Sequence, residues 1–291
     1  MKKAVLVSVI VPTFNCEDII IDCLESVKKQ SYRNIEIIIV DGFSTDKTPQ
    51  LAKRFGKVYF FGKDPKQKNI FAVPYQRNYG VLKSKGEYIY YIDSDMRLDL
   101  KTIETCLLLT ERKKTDAVIV PETSYGEGFW AKCRWLEKEC YNQSPLSFTD
   151  AARFIRKSVW QKLGGLDVAL GGGDDWDFQL RLNFSGYTTV KSQFAIRHYE
   201  GRLTLSKQLK KKYIYGKNVL DYLKKHRRQK LLLLKQYSLI RLDFLQNGKL
   251  LLQHPLIAIG MIFMKTLEYS AAILGMLNAQ MHKVKIRVNT L

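Results

Sequence analysis

The sequence predicts an α/β fold of the Rossmann-like kind, followed by a separate helical region. Through the first hundred or so residues, short runs rich in Val, Ile and Tyr alternate with helical patterns. This alternation is typical of a parallel, doubly wound sheet. Polar and acidic residues follow the apolar runs directly, at the strand ends where such sheets bind ligands. The last third of the chain is strongly basic and contains a long apolar stretch, which indicates helices.

The predicted elements follow one another at regular spacing. Each strand is a short apolar run, and each helix has apolar residues at helical intervals. A loop separates the third strand from the helix after it. The predicted strands are 5–12, 35–40, 58–61 and 88–92, and the predicted helices between them are 19–27, 47–55 and 75–83.

Two carboxylates at the end of the 88–92 strand are the most informative feature. Asp93 and Asp95 are one residue apart, so in extended chain their side chains point the same way. Such hard oxygen donors suit a Mg²⁺ or Mn²⁺ ion that carries phosphates. Asp is also an ordinary turn residue, so the pair alone fits a turn or a helix cap as well. Thr13, Asn15 and Asp41 follow other predicted strands, and this clustering indicates a nucleotide-phosphate site.

Several stretches carry motifs in a fixed order. They are Ser8–Asn15, Val40–Asp46, Arg77–Gly80, Lys85–Asp95, Phe154–Asp167 and Gly173–Arg181. In this order they resemble the motifs of the family 2 glycosyltransferases, up to about residue 200. The resemblance implies a GT-A type fold, with a Rossmann-like mixed sheet flanked by helices, and a nucleotide-sugar donor.

The resemblance also implies which residues bind the donor. It implies that Asp41 contacts the base or ribose, and that Arg77 lies near the nucleotide, although Arg77 also fits a surface arginine at a helix end. Many members carry Asp-Asp-Gly-Ser where this chain has Asp41-Gly42-Phe43-Ser44. One carboxylate is therefore left to read the nucleotide, and the identity of the base stays open. The nucleotide-sugar-binding residues implied are Pro12, Thr13, Asn15, Asp41, Arg77, Asp93 and Ser94.

A second group of acids follows three glycines, Gly171–Gly173, and opens a predicted helix. Glycines allow the backbone to approach a substrate closely. Acids in a first helical turn are also favoured by capping and by the helix dipole. That explanation covers Asp177, which is placed to pair with Arg181 one turn later. The resemblance implies a Glu-Asp pair here whose Asp is the general base, so Asp175 takes the base position and Asp174 replaces the Glu.

These assignments imply a mechanism. Asp175 accepts the proton of a sugar hydroxyl as it attacks the anomeric carbon, through an oxocarbenium-like transition state. A divalent ion held by Asp93 and Asp95 stabilises the departing diphosphate. One base without a second nucleophilic carboxylate indicates a single displacement, hence inversion. His198 follows the last predicted strand, and is either a third metal ligand, as in some resembling enzymes, or a packed or exposed histidine.

Composition limits the class of protein. At 46% hydrophobic residues, a chain of 291 can bury a large core. Its five cysteines lack Cys-x-x-Cys spacing, which favours a reducing intracellular compartment. Pro12 cuts the first apolar run short, so we expect no cleavable signal peptide. We expect two regions: a catalytic domain over 1–200, and basic amphipathic helices with an apolar C-terminal helix over 201–291.

The C-terminal region carries much of the net charge of +20. Residues 202–235 interleave lysines, arginines and apolar residues around a single acid. Such helices bind anionic membrane lipid or nucleic acid, although a solvated helix face is the simpler explanation. The apolar stretch 254–277 is long enough to span a bilayer, but Lys265 and Glu268 are costly at its centre. We therefore expect a helix that lies in the membrane interface or packs against protein, with these two residues paired.

Together these features predict an inverting glycosyltransferase at the cytoplasmic face of the cell membrane, peripheral or C-terminally anchored, that uses Mg²⁺ or Mn²⁺. The expected partners are a nucleotide-sugar donor, a lipid-linked or cell-envelope glycan acceptor and an anionic membrane surface. No nucleic-acid recognition motif is visible. The Gln-x-x-Arg-Trp signature of processive synthases is missing, so we expect non-processive transfer. The alternatives are a catalytically silent sugar-nucleotide-binding membrane scaffold and a nucleotidyltransferase.

Overall fold

Mainly apolar segments rich in β-branched and aromatic residues form the central strands of the chain, which we describe from a computed structural model. It describes residues 4–61, 72–144, 151–229, 231, 233, 236–238 and 241–288. The strands are β1 Val7–Thr13, β2 Ile35–Asp41, β3 Lys57–Phe60, β4 Tyr88–Tyr91, β5 Met96–Arg97, β6 Ala117–Ile119, β7 Glu122–Glu127, β8 Phe154–Arg156, β9 Thr189–Lys191 and β10 Ile196–Arg202.

Helices follow most of the strands. Their bounds are α1 Ile20–Lys28, α2 Thr48–Ala52, α3 Ala72–Lys83, α4 Thr102–Lys113, α5 Phe129–Gln143, α6 Lys157–Lys162, α7 Asp174–Phe184, α8 Leu205–Lys225, α9 Leu242–Gln246, α10 Gly248–Gln253 and α11 Pro255–Val288.

Within the described residues, seven strands form one sheet in the order β3-β2-β1-β4-β8-β6-β9. The first four of these strands are parallel, as their alternation with helices predicted. β8 pairs antiparallel with both β4 and β6, so the sheet is mixed. The predicted fold class is therefore confirmed. The parallel half places the carboxyl ends of β1, β2 and β4 at one edge, where the candidate site lies.

Alternate residues of the central strands serve two cores, one on each face of the sheet. Val7, Val9 and Val11 of β1 pack with residues of α1, α2 and α4. Ile10, between them, packs with residues of α3, α6 and α7. Because both faces are covered by helices, β1 is buried along its whole length, which explains its continuous apolar run.

The chain divides into two compact units, and neither is one continuous segment. The first comprises residues 1–122, 150–168 and 174–199, and the second comprises 123–149, 169–173 and 200–291. The second has its own core, built from α5, α11 and residues near α8. The expected division at residue 200 stays a proposal, and the helical part takes in α5 as well.

All five cysteines are buried and free. Most predicted elements are present with ends shifted by a few residues. The helix predicted over 47–55 is shorter, because the chain turns after Ala52. The loop predicted between Phe61 and Tyr75 lies largely outside the described residues, as do the basic residues Lys230 and Lys235.

Candidate active site

The polar residues after β1 and β2 bind one another. The Thr13 hydroxyl donates to Asp41 Oδ2 (2.8 Å), and the Ser44 backbone N–H and hydroxyl donate to the two carboxylate oxygens, each at 2.7 Å. Asp41 is fully buried, so a contact with a base or ribose requires one of these bonds to open. Asn15 is exposed, with a left-handed backbone (φ 44°) that Asn tolerates. Pro12 is buried within β1.

The glycine in the Asp41-Gly42 pair has a packing reason. A Cβ at Gly42 would lie 3.1 Å from Gln76 Nε2 and 3.4 Å from the Thr13 carbonyl oxygen. The Gln76 amide donates to the carbonyls of Thr13 and Val40, and so ties α3 to β1 and β2. A second aspartate at this position would therefore require the Gln76 amide to shift by a few tenths of an ångström.

Arg77 is the centre of the candidate site. It is 4% exposed, which excludes a surface arginine at a helix end. Its Nη2 donates to Asp93 Oδ1 (2.6 Å), its Nη1 donates to Asp175 Oδ1 (3.0 Å), and Asp174 Oδ2 lies 3.8 Å away. The guanidinium also stacks 4.5 Å from the ring centre of Tyr91. One side chain of α3 thus joins the acid at the end of β4 to the acids that open α7.

The two acids at the start of α7 have different environments. The side chain of Asp175 is 32% exposed, and its Oδ1 lies 3.1 Å from the Tyr91 hydroxyl. Asp174 is 10% exposed, and burial together with neighbouring Asp175 raises its pKa to about 7. Asp177 is fully buried and accepts a hydrogen bond from Arg181 (2.7 Å), as the helix spacing predicted. Asp175 is therefore the acid of this group that a substrate can reach.

The turn after β4 separates the two predicted metal ligands. The Met96 backbone N–H donates to the Asp93 carbonyl oxygen (3.0 Å), with Ser94 partly exposed between Asp93 and Asp95. Asp93 faces Arg77. Burial raises the pKa of Asp93, but Arg77 and Arg153 outweigh that effect and lower it to about 2. Asp93 is therefore ionised, and each of its two carboxylate oxygens faces an arginine.

Asp95 faces His198 on β10, whose Nε2 lies 3.2 Å from Asp95 Oδ2. The other oxygen, Oδ1, is buried and has no hydrogen-bond partner among the described residues. Those residues contain no group of three or more His, Cys, Asp or Glu able to hold a metal by themselves. Mg²⁺ and Mn²⁺ are commonly held by one or two protein ligands and completed by substrate phosphates and water. Asp95 and His198, with one carboxylate oxygen still unsatisfied, fit an ion that substrate phosphates and water would complete.

Two further residues of the site were missed by the sequence analysis. Arg153, just before β8, lies with Nη1 3.6 Å from Asp93 Oδ2 and Nη2 2.5 Å from Glu122 Oε1. Glu122 Oε2 in turn lies 3.7 Å from His198 Nδ1. Single charged residues next to short apolar runs carry no local signal of function. Only the pairing of β4, β8 and β10 with their neighbours brings them to the acids.

Comparison with known families and proteins agrees with this geometry. The family described as "Glycosyl transferase family 2" matches residues 8–159, and "Glycosyl transferase family group 2" matches residues 88–281. Glycosyltransferase GlyG of Streptococcus pneumoniae is 35% identical over 42% of this chain and 40% of its own length. Putative glycosyltransferase EpsH of Bacillus subtilis is 39% identical over 74% of this chain and 67% of its own length. The chain thus aligns with less than half of GlyG.

Solved structures share the fold at low sequence identity. Mannosyltransferase PcManGT from Pyrobaculum calidifontis, in complex with GDP-Man and Mn²⁺, is 16% identical over 93% of this chain and 86% of its own, with a TM-score of 0.65. Staphylococcus aureus TarS 1–349 in complex with UDP-GlcNAc is 17% identical over 74% of this chain and 66% of its own, with a TM-score of 0.52. Because the family match begins in β1, includes the acids after β4 and extends beyond β8, this chain belongs to the family 2 glycosyltransferases.

Proposed function

We propose that this chain transfers one sugar from a nucleoside-diphosphate sugar to a hydroxyl group of a lipid-linked or cell-envelope glycan, with inversion and with a divalent ion. The observation that carries the proposal is the position of Arg77. Its guanidinium binds Asp93, on the proposed donor side, and Asp175, the proposed base. A single rigid group thereby sets the distance between the two halves of the reaction.

The proposed donor is a nucleoside-diphosphate sugar. Two similar structures hold GDP-Man with Mn²⁺ and UDP-GlcNAc, which are both of this class. Asp95 and His198 would hold a Mg²⁺ or Mn²⁺ ion, which when bound offsets the negative charge of a departing diphosphate. Thr13 and Asn15 lie at the end of β1 and border the proposed nucleotide pocket. Arg77 and Arg153 supply positive charge beside Asp93.

Asp175 is proposed to accept the proton of the acceptor hydroxyl. It is paired with Arg77 and reachable from solvent, as a general base must be. Asp174 is buried, and its pKa of about 7 leaves it partly protonated near neutral pH. A buried carboxyl in that state is a poor nucleophile, so Asp175 is the accessible carboxylate of the pair that opens α7. This supports a single displacement and therefore inversion at the anomeric carbon.

A membrane-bound acceptor is supported by α11. Within the described residues, Pro255–Met281 is long and apolar enough to cross a membrane, with a mean hydropathy of 1.5. Its exposed face is apolar, whereas Lys265 and Glu268 lie on its buried face. A surface helix of a water-soluble protein has the opposite arrangement, with its charged residues exposed and its apolar residues buried. Exposed lysines of α8 belong to the same unit, and together they suit an anionic cytoplasmic leaflet.

The acceptor class also has support from a relative. The S. aureus protein named poly(ribitol-phosphate) beta-N-acetylglucosaminyltransferase TarS is 27% identical over 39% of this chain. Its name describes transfer to a phosphate-linked polymer. An acceptor of the cell envelope, held at the membrane, is consistent with both observations.

A thermal-shift experiment with UDP- and GDP-sugars, each with and without Mn²⁺, tests the proposal. A donor that binds only the folded chain raises its melting temperature, and we expect Mn²⁺ to enlarge that shift. Asp95→Ala should lose the metal-dependent part, whereas Asp18→Ala, an exposed aspartate of the same unit, should retain it. No shift with any donor would contradict the proposal. Binding without any sugar transfer or donor hydrolysis would instead favour the silent scaffold.

A further inference from the structure

Seven side chains of the first unit form one chain of alternating acidic and basic groups. They lead from the proposed base to the proposed metal ligand, and each lies within 4.0 Å of the next. In order, they are Asp175, Arg77, Asp93, Arg153, Glu122, His198 and Asp95.

Glu122, in the middle of this chain, has no part in the mechanism so far described, and Arg153 has been given only its positive charge. Arg153 is 9% exposed and divides its guanidinium between Asp93 Oδ2 (3.6 Å) and Glu122 Oε1 (2.5 Å). Glu122 in turn divides its carboxylate between Arg153 and His198 Nδ1 (3.7 Å). Glu122 therefore contacts the partner of Asp93 on one side and the partner of Asp95 on the other.

This position has a physical consequence. Buried arginine and carboxylate groups are costly unless paired, so each member depends on the next for its orientation. A histidine that binds a metal through one ring nitrogen is commonly oriented by an acceptor at the other nitrogen. Glu122 stands on the Nδ1 side of His198, whereas Asp95 stands on the Nε2 side. At 3.7 Å from Nδ1 it lies just beyond direct hydrogen-bond distance, on the side of the ring where such an orienting acceptor stands.

We propose that Glu122 and Arg153 are positioning residues of the donor site. Glu122 orients His198 beside Asp95 and holds Arg153, and Arg153 holds Asp93 in place. The inference rests on the proposed donor and metal function. It adds that one carboxylate outside the motifs sets the geometry of both acids after β4.

The test compares Glu122→Gln, Glu122→Asp and Glu87→Gln. The first removes the charge with little change in shape, and the second keeps the charge. Glu87 also pairs with an arginine, Arg156 (2.6 Å), but at an exposed site outside the chain of charges, so it is the matched control. Mn²⁺ affinity is measured by electron paramagnetic resonance of the free ion, in the presence of UDP and of GDP. Donor KM and kcat are measured alongside.

We expect Glu122→Gln to weaken Mn²⁺ binding by about 10-fold or more, the effect typical of residues that orient metal ligands. Donor KM should rise more than kcat falls, because the base Asp175 stays in place. Glu122→Asp should restore most of the affinity, and Glu87→Gln should match the wild type. A purely structural role would lower the melting temperature of Glu122→Gln and leave its Mn²⁺ affinity unchanged.

The outcomes separate the two proposals. Wild-type Mn²⁺ affinity in a folded Glu122→Gln chain would overturn the inference and leave the proposed function standing. A wild-type chain without metal-dependent binding of UDP or GDP would overturn both. If Glu122→Gln does not fold, Arg153→Lys carries the test. It keeps the charge, but its donors lie on one nitrogen and cannot reproduce the separation of the two guanidinium nitrogens that face Asp93 and Glu122. Donor KM should therefore rise, and an unchanged KM would overturn the inference.

Discussion

Neighbouring acids in this site differ because their surroundings differ. Asp174 and Asp175 are adjacent in sequence and both lie near Arg77. Only Asp175 has a close hydrogen bond from that arginine, whereas Asp174 is buried beside a like charge. Burial and the neighbouring carboxylate raise the pKa of Asp174, whereas Asp175 stays exposed enough for a substrate to reach it. The chemistry of the pair is therefore a property of its contacts.

The first prediction at the scale of single residues concerns the base. Asp175→Asn keeps the shape of the side chain but cannot accept a proton. We expect kcat for sugar transfer to fall about 10²-fold or more, with donor binding retained. Asp177→Asn is the control from the same helix, because its partner is Arg181, and it should mainly lower the melting temperature. A larger kcat effect from Asp174→Asn than from Asp175→Asn would show that the base is misplaced by one residue.

The second prediction concerns pH. The pKa of Asp174 is raised from 3.8 to about 7 in the folded chain. Between these values the folded state keeps a proton that the unfolded state has released, so this group lowers stability as pH rises. Asp174→Asn removes the effect. Its melting temperature, relative to wild type, should therefore increase between pH 4 and pH 8.

Differential scanning calorimetry across that pH range measures the Asp174 effect. Asp18→Asn, at an exposed position of the same unit, is the control and should show a constant difference from wild type. A difference for Asp174→Asn that is constant with pH, or that shrinks as pH rises, would contradict the assignment.

Among the elements, α11 shows most clearly how packing is specified. Four charges meet between α11 and α5. Arg134 binds Glu137 and Glu268, and Lys265 Nζ lies 2.8 Å from Glu137 Oε1 and 3.5 Å from Glu268 Oε2. The expected pair of Lys265 and Glu268 is confirmed, and each also has a partner on α5. Charges that are costly within an apolar helix are thus compensated inside the unit.

Close contact between α8 and α11 depends on two glycines. A Cβ at Gly216 of α8 would lie 2.0 Å from the Ala272 carbonyl oxygen, and one at Gly275 of α11 would lie 2.0 Å from that of Tyr213. Backbone atoms cannot move aside as a flexible side chain can. The two helices can therefore keep this separation only with glycine at these positions.

The prediction at this scale is that Gly275→Ala forces α8 and α11 apart. Overpacking of this kind costs about 1–3 kcal/mol, so the midpoint of chemical unfolding should fall. Gly248→Ala is the matched control, because no described atom lies within 4 Å of its Cβ position and alanine favours a helix. Equal midpoints for the two variants would contradict the observed packing.

At the scale of the whole molecule, the main feature is the exposed apolar face of α11, which is unfavourable in water. Leu256, Ile259, Phe263 and Leu274 share one side of the helix and are 75%, 65%, 52% and 60% exposed. Large contiguous apolar surfaces mark binding to a membrane or to a protein. Removing the helix would also remove Glu268 and Lys265, which neutralise the buried Arg134 and Glu137, so point variants test this surface better than a truncation.

The prediction at this scale concerns liposomes with anionic lipid. The full-length chain should float with them at low salt, and high salt should release only part of it, because salt screens charge but not buried apolar area. The double variant Ile259→Glu with Leu274→Glu should bind weakly and become fully salt-sensitive. Leu82→Glu, an exposed leucine of α3 in the other unit, should bind like wild type. Wild type that remains in the soluble fraction at low salt would contradict the membrane proposal and indicate a protein partner.

Local patterns in the sequence were sufficient to predict the fold class and the polar residues at the carboxyl ends of the strands. The strands β1, β2 and β4 are mainly apolar because both faces of the sheet are covered, and polar residues follow them in recognisable motifs. The short strands β6, β8 and β9 have no such pattern, since three residues are too few to show a period. Antiparallel β8 was therefore visible only in the structure.

The sequence by itself determined the family, the α/β alternation and the acids at positions 93, 95, 174 and 175, because these depend on the order of residues along the chain. Tertiary structure decided what those acids contact. Arg153 and Glu122 reach Asp93 and His198 across strands that are far apart in sequence. It also decided that Lys265 and Glu268 face inward. Contacts between distant segments leave no periodic trace in a single sequence, so only the folded chain reveals them.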